Sequence, residues 1–261
     1  MRRHAFSAAV CAAATIAAGG LAPASSAAVD PPGANPATPA MTLRQEFNAA
    51  FAGNLSPDGK LRINGDWPGT GGNTILLANS QIANGRLRFR ANATSSAEVQ
   101  TIPERLYGAG CYATRLKTAR VPGVVTSYFW IGDGYNLPEV DIEFLSKDRR
   151  GTWGKVWLTV HLADGEARTS TVRMPFDPSA AFHTYAFAFT STSVTWYVDG
   201  RVVKRLTGLP AGLGTGQPLA GYVMANAWSG AYEWVGPPPT RDTFAAYDWM
   251  RGWEGATTCP S

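Results

Sequence analysis

From about Leu43 onward, hydrophobic and polar positions follow one another in short runs, either alternating or wholly apolar, and each run is cut off by a turn signal. Asn64-Gly65, Asn84-Gly85 ahead of LRFRA, Asp164-Gly165 between VWLTVHL and ARTSTV, and Asp199-Gly200 between VTWYV and RVVK are the clearest such signals. Pairs of this kind supply the positive φ that tight turns between antiparallel strands need. No stretch keeps a helical period over 12 or more residues, and no segment repeats at a fixed interval. Many short strands in a single domain predict an all-β chain, folded as a two-sheet antiparallel sandwich of jelly-roll type. One sheet of such a sandwich is often curved, and its concave face can form a cleft for an elongated ligand.

Composition narrows the picture. Charged residues are 16% of the 261, against about 25% in an average domain, which disfavours a disordered polyelectrolyte or a coiled coil. The net charge of +4 falls to +2 without Arg2 and Arg3, and no run of Lys or Arg remains, so a nucleic-acid partner is not expected. Those two arginines open an Ala-rich apolar stretch that ends in Ser26-Ala27-Ala28. Residues 1–28 therefore read as an export signal, with Gly19, Gly20 and Pro23 interrupting the run before it could span a membrane. Residues 29–42, rich in Pro and Ala, read as a flexible leader, and residues 43–261 as the folded domain. A secreted or periplasmic, monomeric protein is expected, with no membrane contact after cleavage. Export leaves Cys111 and Cys259 in an oxidising compartment, where an even count predicts a disulfide between them.

The domain is rich in tryptophan, with nine in the chain. Indole faces stack on the C–H patches of sugar rings, so a surplus beside a cleft points to carbohydrate. The competing reading is that they fill space between sheets, as expected of Trp196 and Trp249. The most informative segment is Glu139-Val140-Asp141-Ile142-Glu143-Phe144. Strand alternation sends Val140, Ile142 and Phe144 to the core and sets Glu139, Asp141 and Glu143 in a row on the opposite face. Two Glu side chains four residues apart can lean to roughly 5 to 6 Å between carboxyls, the spacing of a retaining glycosidase pair. Crowding also raises at least one of their pKa values, leaving one acid protonated near neutrality. On alternation alone, a solvated acidic face on an edge strand remains an equal alternative.

The chain resembles glycoside hydrolase family 16, and within it the bacterial lichenases, the endo-β-1,3-1,4-glucanases. EVDIEFLSK, GVVTSYFW before it, FHTYAFAFTSTSVTWYVDG after it, and ANAWSG with Trp234-Val235-Gly236 carry the likeness, in the family's order. The resemblance implies a concanavalin-like jelly roll, Glu139 as nucleophile, Glu143 as general acid/base and Asp141 as the neighbour that tunes the nucleophile. The motif has no extra residue before its last Glu, so the regular-strand form without a β-bulge is expected. Arg115, Phe129, Asn226, Trp228 and Trp234 match positions at which similar enzymes touch sugar. His161 is expected to bind sugar or to hold a catalytic carboxylate, and His183 to make a structural hydrogen bond. No cofactor or catalytic metal is implied; a structural Ca²⁺, which the family sometimes carries, cannot be read from the sequence.

Departures from the lichenase pattern bear on substrate. Ala113 stands where that pattern usually has a sugar-binding Glu, Leu137 replaces an aromatic near the nucleophile, and the loop from Gly132 to Pro138 is short. A retaining endo-β-glucanase that prefers mixed-linkage glucan is the expected activity. A transglycosylase, a bacterial exopolysaccharide glycanase of the same family and a non-catalytic carbohydrate-binding protein are the alternatives.

Overall fold

The computed structural model describes residues 40–47, 51, 53–230 and 232–260. The expected export segment and the expected leader up to residue 39 lie outside the described residues. In chain order the strands are β1 (Leu43–Glu46), β2 (Leu61–Asn64), β3 (Trp67–Pro68), β4 (Thr74–Ile75), β5 (Ser80–Ala83), β6 (Arg86–Ala91), β7 (Ser95–Thr101), β8 (Gly110–Lys117) and β9 (Val125–Gly132). They continue as β10 (Asn136–Leu145), β11 (Gly154–His161), β12 (Ala167–Met174), β13 (His183–Phe189), β14 (Val194–Val198), β15 (Arg201–Leu206), β16 (Gly221–Trp228) and β17 (Thr243–Glu254). Helical structure among the described residues is limited to 3-10 turns of three or four residues.

The strands form two sheets. The back sheet has eight, in the order β15-β14-β13-β8-β17-β6-β5 with β1 also on β17. The front sheet has nine, in the order β12-β11-β10-β9-β16-β7-β4-β3 with β2 also on β7. All neighbours are antiparallel except β4 and β7. Alternation explains the layering: Tyr128, Trp130, Val140, Ile142 and Phe144 of the front sheet and Tyr185, Phe187, Trp196 and Tyr247 of the back sheet are buried in one shared core, while the residues between them face outward.

Three of the four turn signals close hairpins. Asn84 and Gly85, at φ 53° and 68°, join β5 to β6, and Asp199 and Gly200, at φ 47° and 74°, join β14 to β15; Asp164-Gly165 lies in the turn between β11 and β12. Asn64-Gly65 closes none. There β2 pairs with β7, and the Asn64 side chain, 4% exposed, donates to Glu98 Oε1 at 2.9 Å and to Gln100 Oε1 at 2.6 Å. Its amide is thus satisfied across a sheet instead of within a turn.

Trp196 is fully buried in the shared core as expected, but Trp249 is not there. The register between β17 and β8 slips between Tyr247 and Trp249, leaving Asp248 as an extra residue. This bulge inverts the alternation, so that Tyr247 and Met250 face the core and Trp249 turns to the outer side of the back sheet. Trp249 packs there with Cys111, Ala113, Tyr197 and Trp253. The Cys111–Cys259 disulfide is present, tying the tail to β8 across 148 residues.

Candidate active site

β10 carries the acidic row. It lies between β9 and β11, in unbroken register from Glu139 to Glu143 on both sides, and its one irregularity is at Asn136/Glu139 against β9. The expected bulge-free strand is therefore what forms. Val140, Ile142 and Phe144 enter the core, and Glu139, Asp141 and Glu143 share the outer face of the front sheet. The core also holds the strand from behind: Trp196 Nε1, from the back sheet, donates to the Asp141 backbone carbonyl at 3.0 Å. Tyr247 Oη likewise donates to the carbonyls of Ser127 and Asn226, at 2.7 and 3.1 Å.

Neighbouring strands fill the face around the acids. Opposite Glu139 stand His161 and Ile131, opposite Asp141 stand Thr159 and Phe129, and opposite Glu143 stand Trp157 and Ser127. One strand further, Asn226 pairs with Ser127 and Trp228 with Val125. Two apolar patches flank the acids. Trp228, 8% exposed, joins Val125, Leu145, Val235 and part-buried Trp157, Tyr232 and Trp234. Phe129, Ile131, Tyr222 and Met224 form the other patch, with Leu106 and Tyr135 against them. Trp228 and Trp234 meet edge to face at 5.6 Å, and Tyr135 stacks on Tyr222 at 5.1 Å.

Electrostatics separate these acids from a solvated row. Burial pushes the Glu139 carboxyl from 4.5 up to about 7, opposed by its hydrogen bond with Asp141 and helped by the charge of Glu98. Burial and the neighbouring Glu139 bring Glu143 to about 7 as well. Both retain some surface, which leaves them reachable by a ligand. Two such groups hold about one proton between them near neutrality. His161 Nε2 lies 3.4 Å from Asp141 Oδ2, and burial lowers the imidazole's basicity.

Glu139, Asp141 and His161 bring one potential ligand atom each to within 4.8 Å of one another.

Of the residues singled out in the sequence, Glu139, Asp141, Glu143, Phe129, His161, Asn226 and Trp228 share this face, with Trp234 in the patch beside it. Arg115 does not join them. It lies on β8, in the back sheet, between core-facing Thr114 and Leu116, and so points to the opposite side of the molecule. There it pairs with Asp248 and lies 5.2 Å over the ring of Phe182. His183 makes the expected structural bond, 2.7 Å from Asp199, and stacks on Phe176. The sequence reading missed Tyr135 and Tyr222 and, above all, Glu98, a fourth carboxyl on this face that is 6% exposed and pushed by burial to about 7.

The raised carboxyls give a test. Between about pH 4.5 and 7 these three carboxyls bind more protons in the folded chain than in the unfolded one, and His161, whose lowered basicity acts the other way, is one group against three, so stability falls as pH rises through that window. The melting temperature is expected to be several degrees higher at pH 5 than at pH 8, with a flatter profile in Glu143→Gln. A midpoint that climbs from pH 5 to pH 8 would contradict burial as the cause.

Comparison with known proteins agrees with this geometry. Residues 71–251 match the family described as Glycosyl hydrolases family 16, and the chain belongs to that family. It is 36% identical over 152 residues to a beta-glucanase of Bacillus subtilis (strain 168), covering 56% of this chain and 58% of that protein. A beta-glucanase of Paenibacillus polymyxa is 29% identical over 218 residues, covering 79% of this chain and 77% of the relative. Among solved structures, a prokaryotic beta-1,3-1,4-glucanase (lichenase) from a mouse hindgut metagenome superposes with a TM-score of 0.67 at 26% identity, covering 81% of this chain and 98% of that one.

Proposed function

We propose that this protein is an exported, retaining endo-β-glucanase acting on mixed-linkage β-1,3-1,4-glucan. The observation that carries this reading is the pair Glu139 and Glu143 on one strand face, both with raised pKa, in a chain of this family. Double displacement needs such a pair, one carboxyl ionised and the other protonated. Glu139, next to the hydrogen-bonding Asp141, attacks the anomeric carbon while Glu143 gives its proton to the departing glycosidic oxygen. Glu143, now a carboxylate, takes a proton from water, which displaces Glu139 and restores the β configuration. Asp141, with His161 against it, holds and tunes the nucleophile. Phe129, Asn226, Trp228 and Trp234 are the proposed sugar contacts, whereas Arg115 has no part.

The names of the relatives support a glucan substrate, and the disulfide together with residues 1–28 supports export. Product analysis on barley glucan, lichenan, laminarin, xyloglucan and bacterial exopolysaccharides tests substrate and reaction together. Internal cleavage of the first two, with β-anomer appearing first by NMR, is the expected result. An α-anomer appearing first, or cleavage of none of the panel, overturns the proposal.

A further inference from the structure

Glu98 is a buried acid for which the double displacement has no use, and its surroundings give it a direction of action. In-register neighbours on the outer face of the front sheet run Asn64 on β2, Glu98 on β7, Asn226 on β16, Ser127 on β9 and Glu143 on β10. Hydrogen bonds join the first four. Asn64 Nδ2 donates to Glu98 Oε1 at 2.9 Å, Asn226 Nδ2 donates to Glu98 Oε2 at 3.3 Å, and Ser127 Oγ donates to Asn226 Oδ1.

Each link restricts the next. Glu98 accepts at both of its oxygens, from Asn64 at Oε1 and from Asn226 at Oε2, and so draws the NH₂ end of the Asn226 amide and leaves its carbonyl facing Ser127. The single hydroxyl hydrogen of Ser127 is then committed to Asn226. Towards Glu143, its neighbour in the ladder, Ser127 has only lone pairs to offer. Lone pairs accept a bond from a protonated carboxyl and give nothing to a carboxylate, which favours the acid form.

We propose that Glu98 is a positioning residue that, through Asn226 and Ser127, turns the Ser127 hydroxyl into an acceptor facing Glu143 and so keeps the general acid loaded. This rests on the role of Glu143 proposed above. Other charged or titratable groups on this face are Glu139, Asp141, His161, Tyr135 and Tyr222, with Arg62 opposite Gln100 beside Asn64, and Lys155 and Asp148 around Trp157 beyond Glu143.

Glu98→Gln tests the chain, because its carboxamide can turn an NH₂ to Asn226, flip that amide and make Ser127 a donor towards Glu143. Glu143 then ionises more readily, and the basic limb of the kcat/KM profile on glucan is expected to move down by about half a pH unit or more. Glycosylation by an aryl glycoside whose leaving group needs no proton is expected to change less than twofold. Loss of the Glu98 charge alone could also move the limb through space, so the decisive measurement is a double-mutant cycle. Ser127→Ala is expected to lower the basic limb by itself, and Glu98→Gln to add no further shift in that background. Equal shifts from Glu98→Gln with and without Ser127, or no shift, overturn the proposal. If Glu98→Gln does not fold, an unmoved limb in Ser127→Ala overturns it alone. Failure here leaves wild-type retention untouched, whereas an inverting or inactive wild type removes the role of Glu143 on which the chain depends.

Discussion

Glu139→Ala is expected to be inert on glucan, with kcat down on the order of 10⁴-fold or more, while remaining folded and able to build new linkages from a suitable donor. Both steps of a double displacement pass through the nucleophile, so neither survives its loss. The small side chain leaves room on the lower face of the bound sugar, and an α-glycosyl fluoride fits that room because its C–F bond takes the place of the bond to the enzyme. Fluoride departs without a proton, and Glu143 remains to deprotonate an acceptor hydroxyl attacking from the other face. Oligosaccharides with new β-linkages should accumulate, since the variant cannot hydrolyse them. Mass spectrometry and NMR of the product decide the matter, and hydrolysis of glucan by the alanine variant at the wild-type rate would remove Glu139 from its role.

What the sequence made legible was what depends on neighbours in the chain. Alternation in EVDIEF needs only a strand, so the separation of Glu139, Asp141 and Glu143 from Val140, Ile142 and Phe144 could be read directly. Arg115 was misread because its place depends on which sheet β8 joins, and pairing with β13 and β17 is decided by residues more than 60 positions away. Trp249 was misread because one bulged residue, Asp248, reverses the facing of everything after it. Glu98 carries no local mark at all: in Ala97-Glu98-Val99-Gln100 it looks like any polar residue on a strand. It belongs to the site only because β7 lies between β2 and β16, which brings Asn64 and Asn226 to its two oxygens.

Glu143→Ala is expected to fail in a different way from Glu139→Ala, and the difference separates the two carboxyls by role. Without its acid, the enzyme should lose about 10² to 10⁴-fold on glucan, whose leaving sugar hydroxyl must be protonated as it departs. An aryl glycoside such as a dinitrophenyl β-glycoside has a leaving group stable as an anion, so Glu139 can still form the covalent intermediate at a rate near that of the wild type. The second step then stalls, because no carboxylate remains to take the proton from water. A burst of phenolate followed by slow turnover is the expected trace. Azide needs no base and fits where the Glu143 carboxyl stood, so adding it should restore turnover and give a β-glycosyl azide, the outcome of two inversions. Glu139→Ala given azide should yield the α-azide by one. An α-azide from Glu143→Ala, or azide without effect on its steady-state rate, would show that Glu143 is not the residue that first gives and then takes the proton.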